Sequence, residues 1–114
     1  MPENRIYSFI GLARKAGALV SGENAVENAV RYGKACLVVI AFDASQNTAK
    51  KVTDCCAASS VKTMQFGSKS GLGGILGREM YSVIAITDKR FSDRLKEMIM
   101  LESNHDNTVN GERH

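Results

Sequence analysis

Length, composition and charge limit what this chain can be. Its 114 residues, of which 44% are hydrophobic, are enough for one domain with a buried core and too few for two ordinary domains. The formal net charge of +3 at pH 7 favours an anionic partner but does not identify one. No stretch approaches the roughly 20 apolar residues of a membrane span, and the opening Met-Pro-Glu-Asn lacks the order of a signal peptide. We therefore expect a cytoplasmic protein without a membrane partner.

The cysteines and histidines give no sign of a metal site or a catalytic group. Cys36 lies in an apolar run, and Cys55 and Cys56 are adjacent, a spacing that matches neither a zinc site nor a secreted disulfide framework. His105 and His114 both lie close to the C-terminal end of the sequence, and no Cys/His or paired-carboxylate cluster has a catalytic spacing. We predict reduced cysteines and a non-catalytic protein that needs no cofactor, metal or small-molecule substrate.

The first third of the chain predicts a helix, a strand and a second helix. Apolar residues at intervals of three and four predict a helix over residues 4–16, ended by Gly17. Residues 18–20 form a short predicted strand. The second helix has an apolar stripe, and Gly33 is placed to end it in a left-handed conformation. That stripe consists of Ala25, Val26, Ala29 and Val30.

The middle of the chain continues this alternation. Residues 36–42 are a continuous apolar run rich in β-branched residues, which is typical of a strand buried on both faces. A third helix is predicted over residues 45–58 and a further strand over residues 61–66. In that helix the predicted inward residues are Ala49, Val52 and Cys56, and the predicted outward residues are Lys50, Lys51 and Asp54.

The last third contains a glycine-rich helix, a strand and a final helix. Residues 67–80 keep the apolar spacing of a helix although their glycines weaken it. The apolar residues are Leu72, Ile75 and Leu76, and the glycines are Gly71, Gly73, Gly74 and Gly77. Residues 82–87 predict a strand, and Asp88 is placed to cap a last helix. The inward residues of that helix are Phe91, Leu95, Met98 and Ile99.

The strict alternation of helix and strand predicts the fold class. A small sheet covered by helices on both faces is the arrangement that buries all of these apolar stripes, so we expect an α/β protein with a three-layer α-β-α sandwich. Residues 1–102 form one predicted domain. Residues 103–114 contain almost nothing apolar and predict a disordered tail.

The junction between the first strand and the second helix carries the most informative chemistry. A helix start leaves backbone N–H groups without internal partners, and Gly22 allows a ligand to approach them closely. Asn24 offers a donor and an acceptor together, which suits the edge of a nucleobase, whereas Glu23 only accepts. A purely structural interpretation is also open, in which Ser21 caps the helix, Gly22 forms a turn and Asn24 is solvated.

The stretch SGENAVENAVRYGKACLVVIAFDAS resembles the signature of the kink-turn RNA-binding ribosomal protein family, the L-seven-Ae and L-thirty-e group. In that resemblance Gly22 and Asn24 match a Gly-x-Asn-Glu helix opening, Gly33 and Ala35 a turn, residues 37–41 an apolar strand, and Asp43 the residue beyond it. The stretches GLARKAG and SGE are most similar to the short bacterial members, the YlxQ-like proteins. SKSGLGGILG and VIAITD also resemble family segments, so the resemblance covers residues 4–101.

The resemblance implies a fold, a partner and a site. The family fold has a four-stranded mixed sheet between helix layers, and its partner is structured RNA with a kink-turn bend, with ribosomal RNA as one possible target. The family reads guanine edges with the start of the second helix and places a loop beside the bulge. Carried over, the site residues are Gly22, Glu23, Asn24 and Asn28, then Arg31 and Lys34 for backbone charge, and the loop residues Arg78, Glu79, Met80 and Tyr81.

Two departures from the family pattern keep other functions open. Ala25 replaces a Glu and Asn28 replaces a Lys, so one guanine acceptor and one phosphate-directed cation are missing. These losses favour a protein-interaction module that keeps the fold without the RNA site. A third hypothesis is a nucleotide-binding domain using the Gly71–Gly77 loop, with Asp88 after the next strand, although Leu76 occupies the third glycine position of that motif.

Overall fold

The computed structural model describes residues 2–78 and 80–112, with side chains for residues 5–78 and 80–102. Helices and strands alternate through these residues, which confirms the predicted order of elements. The elements are α1 (Pro2–Lys15), β1 (Leu19–Ser21), α2 (Glu23–Arg31), β2 (Leu37–Ile40), α3 (Gln46–Ala58), β3 (Lys62–Gln65), α4 (Lys69–Ile75), β4 (Val83–Ile86) and α5 (Lys89–Glu112).

The four strands form one mixed sheet in the order β1-β4-β2-β3. β4 is antiparallel to both β1 and β2, whereas β2 and β3 are parallel. The C-terminal ends of β1, β2 and β3 therefore meet the N-terminal end of β4 at one end of the sheet. We call this the upper end. It carries the residues that follow Ser21, Ile40 and Gln65 and those that precede Val83.

Helices cover both faces of the sheet and confirm the predicted three-layer sandwich. One core lies between the sheet and the layer of α1, α4 and α5, and a second lies between the sheet and the layer of α2 and α3. Every residue of β2 and β4 is buried because alternate side chains enter opposite cores. The first core includes Ile6, Ile10, Leu37, Leu72, Ile84 and Leu95, and the second includes Val26, Val30, Val38, Val52 and Cys56.

Local polar contacts define where the helices begin and end. The Asp88 carboxylate accepts the N–H groups of Arg90 and Phe91 at 2.9 and 3.1 Å, which confirms its predicted capping role. Ser45 caps α3 in the same way, accepting the Thr48 N–H at 3.1 Å. The turn after α2 contains Gly33 with φ of 72°, in the left-handed region predicted for it.

The predicted burial of Phe42 is wrong, and Ile75 and Glu27 depart from the burial that apolar periodicity suggests. Phe42 is 68% exposed because β2 ends two residues earlier, and Ile75 is 40% exposed at the end of α4. Glu27 is 6% exposed and was not predicted to be inward. It lies on the face of α2 that packs on α3, where the Lys51 ammonium is 3.8 Å from its carboxylate.

The structure also bears on the glycine-rich segment and the tail. Gly71, Gly73 and Gly74 lie within α4, so they do not form the loop that a dinucleotide phosphate needs between a strand and a helix. The backbone of α5 continues as helix to Glu112, where the sequence predicts disorder from Ser103. The side chains of that predicted tail lie outside the described residues. Among the residues that are described, no helix has the length and apolarity to cross a bilayer.

Two α4 glycines predict opposite effects of the same substitution on stability. A Cβ atom on Gly71 would lie 2.3 Å from the Tyr7 hydroxyl, which accepts the Ser68 N–H at 3.1 Å, whereas a Cβ on Gly74 would meet no atom within 4 Å. Gly71→Ala should therefore lower the free energy of unfolding by about 1–3 kcal/mol through overpacking. Gly74→Ala should raise it by about 0.5–1 kcal/mol through helix propensity. Urea unfolding of both variants measures the difference, and equal midpoints would contradict the close α1–α4 contact.

Candidate functional site

The upper end brings the start of α2 against the loop that precedes β4. The Gly22 N–H donates to the Val83 carbonyl at 3.0 Å. A Cβ atom on Gly22 would lie 3.8 Å from Cε1 of Tyr81, so the tyrosine ring lies beside the helix start. Gly22 and Tyr81 are 59 residues apart in the sequence. They are neighbours because β1 pairs with β4 in the sheet.

Within the described part of the chain, no side chain caps the start of α2. Gly22 is the N-cap residue with φ of 95°, a conformation that favours glycine, and its carbonyl accepts the Val26 N–H at 2.9 Å. Ser21 is the last residue of β1 and does not cap the helix. The N–H groups of the first turn, from Glu23 to Ala25, precede the first intrahelical bond and point out of the helix start. The helix dipole adds partial positive charge there, which favours acceptor atoms of a ligand.

Asn24 is the one free polar side chain in that first turn. It is exposed and has no hydrogen-bond partner within the part of the chain that the structure describes. Its amide therefore keeps both a donor and an acceptor for another molecule. Asn28 is also exposed and lies one helical turn further along the same face.

The side chain of Glu23 turns away from the helix start and towards α3. Its carboxylate accepts the Thr48 hydroxyl at 3.0 Å and the Lys51 ammonium at 3.0 Å. The hydrogen bond from Lys51, followed by that from Thr48, lowers the pKa of the Glu23 carboxyl below its ordinary value. Glu23 thus offers only its backbone at the upper end. Sequence reasoning missed Thr48 and Lys51 because nothing in the sequence indicates how α2 packs on α3.

The loop between α4 and β4 forms the other side of the site. Met80 is 55% exposed and Tyr81 is half-buried against the first core. The Tyr81 N–H donates to the Lys69 carbonyl at 3.0 Å, which holds the loop against the start of α4. Arg78 is exposed, and Glu79 lies outside the described residues.

Arg14, which sequence reasoning did not single out, supports the loop from α1. Its guanidinium donates to the Leu76 carbonyl at the end of α4. A Cβ on Gly77 would lie 3.6 Å from the same guanidinium. Arg14 therefore sets where the loop leaves α4. The only signal in the sequence was its place in the last turn of a predicted helix, where any basic residue is favourable.

Two predicted site residues lie away from the helix start. Arg31 is the last residue of α2. It lies eight residues after Glu23, which is about 12 Å along the helix axis. Lys34 follows the turn after that helix. Both side chains are exposed. They form a basic surface at the C-terminal end of α2, away from the helix start at Gly22.

The upper end contains a second acidic residue and an exposed aromatic residue. The Asp43 carboxylate accepts the Lys69 N–H at 2.8 Å, so it is held by the protein itself, as Glu23 is. Phe42 precedes it and is exposed. Sequence reasoning included Phe42 in the buried strand because it continues the apolar run, and no local signal marks where pairing with β4 stops.

Comparison with known families agrees with this geometry. A family model described as the ribosomal protein L7Ae/L30e/S12e/Gadd45 family matches residues 4–96. The chain belongs to this family.

Two bacterial relatives in this family resemble the chain over most of its length. A Bacillus subtilis (strain 168) protein named RNA-binding protein YlxQ is 40% identical over 93 residues, which are 82% of this chain and 93% of that protein. A protein of the same name from Enterococcus faecium is 36% identical over 95 residues, 83% of this chain and 91% of its own. The predicted similarity to bacterial YlxQ-like members is confirmed.

Solved structures share the family fold. A Bacillus halodurans protein described as of unknown function superposes with a TM-score of 0.78 at 34% identity, covering 82% of this chain and 95% of its own. The Giardia lamblia 15.5kD RNA binding protein has a TM-score of 0.68 at 22% identity, covering 86% of this chain and 84% of its own. At that identity the second comparison supports the fold alone.

The contact between Glu23 and α3 gives a measurable prediction. Lys51→Met removes the largest cause of the lowered pKa, so the pKa of Glu23 should rise towards its ordinary value in an NMR titration of its side-chain carboxyl. In the native protein the stabilisation from this contact is present above the ordinary pKa and is lost as the pH falls through the lowered value.

The matched control is Lys50→Met, which removes a neighbouring exposed ammonium bonded to Asp54 at 3.0 Å. It should leave the titration of Glu23 unchanged. An unchanged titration in Lys51→Met would contradict the contact between the Lys51 ammonium and the Glu23 carboxylate.

Proposed function

We propose that this protein binds structured RNA that contains a kink-turn-like bend, using the upper end of the sheet. The observation that carries the proposal is the uncapped start of α2, with its free Asn24 amide, in contact with the loop that carries Met80 and Tyr81. The names of the YlxQ relatives, RNA-binding protein, support RNA as the partner.

The two sides of the site suit different parts of a bent RNA. The Asn24 amide and the unpaired N–H groups beside it suit the hydrogen-bonding edge of a base such as guanine. Met80 and Tyr81 offer apolar and aromatic surface on which an unstacked base can rest. A sharp bend exposes both features together, whereas a straight duplex shows its base edges only in the shallow minor groove and keeps its bases stacked.

The charged residues around the site favour recognition of bases over a surface that binds phosphates alone. Glu23 and Asp43 are both bonded to the protein itself, which weakens their repulsion of RNA. Arg31 and Lys34 lie about two helical turns from the start of α2, where their positive charges can bind phosphates of a flanking stem. Arg78 suits phosphates near the bulge.

This function requires no catalytic group, cofactor or metal ion, so the protein acts by binding alone. Within residues 5–78 and 80–102, no group of three or more acidic, histidine or cysteine side chains is arranged to hold a metal. Ribosomal RNA is the first target to examine, because the family description is that of a ribosomal protein. A cytoplasmic role in translation or in a ribonucleoprotein is the setting in which such binding would act.

The proposal predicts preference for bent RNA. In a titration followed by fluorescence anisotropy, a kink-turn RNA should bind more tightly than a straight duplex of the same length and composition. Equal affinity for both would contradict recognition of the bend. Absence of binding to either RNA would favour the protein-interaction module suggested by Ala25 and Asn28, because those departures remove an acceptor and a cation.

Asn24→Ala should weaken kink-turn binding by about 1–3 kcal/mol, which is roughly five- to 150-fold, with little change in the salt dependence. The reason is that Asn24 contacts a base edge and releases no counterions. The measurement is the dissociation constant at several salt concentrations.

Two further variants separate base contact from other effects. Thr53→Ala changes an exposed residue of α3 and should leave affinity unchanged. Arg31→Gln should reduce the slope of log K against log salt by about 1 if Arg31 contacts a phosphate. Wild-type affinity in Asn24→Ala would remove Asn24 from the site.

A further inference from the structure

Phe42 is an exposed aromatic side chain on a fixed stretch of backbone. Its ring is 68% exposed although it follows five buried residues of the β2 run. Its own N–H donates to the Gly67 carbonyl at 2.8 Å, and the preceding Ala41 N–H donates to the Ser82 carbonyl at 2.8 Å. The next residue, Asp43, is held by the Lys69 N–H. The backbone is thus ordered on both sides of the ring, so little backbone entropy is lost when a ligand packs on it.

The sheet register places Phe42 next to the proposed RNA site. Ile40 pairs with Val83, and the bond between Ala41 and Ser82 continues that antiparallel register by one step. Phe42 follows Ala41 and Tyr81 precedes Ser82, so both residues leave the paired strands at the same end of the sheet. Because β4 lies between β1 and β2, the residues that follow β1 and β2 are two strand spacings apart, or about 10 Å. That distance is within the reach of neighbouring nucleotides.

The chemistry around Phe42 suits the face of a base better than a phosphate. A phenyl ring has no hydrogen-bonding group, and an exposed aromatic ring gains most from flat apolar contact. The adjacent Asp43 carries a negative charge, which disfavours phosphate at this point even though its carboxylate is bonded to the protein. Stacking of a base on the phenyl ring needs no hydrogen-bonding group and places no phosphate beside the Asp43 carboxylate.

We propose that Phe42 stacks on an unpaired nucleobase of the bent RNA, next to the surface formed by Met80 and Tyr81. This inference rests on the proposed function and extends the site across β4 to the end of β2. It makes Phe42 a residue that selects RNAs with at least one base unstacked beside the bend. A kink whose bases are all paired or stacked leaves this ring uncovered.

The first test is affinity for a kink-turn RNA. Phe42→Ala should weaken binding about ten- to a hundredfold, the loss expected for one stacked base, without changing the salt dependence. Phe42→Trp should restore affinity because it keeps an aromatic face. The matched control is Tyr32→Ala, which removes an aromatic ring that is 76% exposed after the far end of α2 and should leave affinity unchanged. Both alanine variants should keep the wild-type unfolding midpoint, because neither ring is in the core.

The second test locates the base. With 2-aminopurine placed at each unpaired position of the kink in turn, one position should be quenched on binding of wild-type protein and should remain bright with Phe42→Ala. If wild-type protein binds the kink-turn RNA but Phe42→Ala and Tyr32→Ala both keep its affinity, the stacking role is wrong and the proposed function stands. If wild-type protein shows no preference for the kink over the duplex, the proposed function fails and the role of Phe42 fails with it.

Discussion

The hydrogen bond from the Gly22 N–H to the Val83 carbonyl is the contact on which the upper end of the sheet depends. It joins the N-cap residue of α2 to the first residue of β4. Because β4 runs opposite in direction to the other three strands, each of those strands is followed by a segment that begins at this same end. The start of α2, the loop before β4 and the residues after β2 therefore lie at the same end of the sheet.

The polar groups at this end divide into two sets. Glu23 and Asp43 are used internally, one to hold α2 against α3 and the other to hold the start of α4. Asn24 and the first-turn N–H groups of α2 have no such internal partner among the residues that the structure describes. A buried or bonded acid contributes to the position of the site, and a free amide is available to a ligand. The same short stretch of sequence therefore serves both stability and binding.

Much of the fold could be predicted from the sequence because apolar periodicity reports burial element by element. Val26 and Val30 lie in the core at the positions that helical spacing predicts, and Asp88 caps α5 as its place before an apolar stripe predicts. Glu27 and Phe42 could not be predicted in this way. The first is buried because α3 supplies Lys51 beside it, and the second is exposed because the pairing of β2 stops before it.

The candidate site shows the same division. Gly22 and Asn24 could be found from local chemistry and from a family signature, since both lie in one short helix opening. The contact of Tyr81 with that opening depends on the strand order, which alternation alone does not specify. The ties from Arg14 to the Leu76 carbonyl and from Lys51 to Glu23 join residues far apart in sequence, and no local pattern indicates them.

The glycine content of α4 affects how the upper end adapts to a ligand. This seven-residue helix contains three glycines, so its own propensity contributes little and its order depends on Tyr7, Arg14 and the underlying core. Partial opening of α4 should therefore need less free energy than opening of α2, whose buried valines anchor it to the sheet. The α2 side of the site is therefore more rigid than the α4 side. The α4 side can adjust to ligands of different shapes while the position of α2 stays fixed.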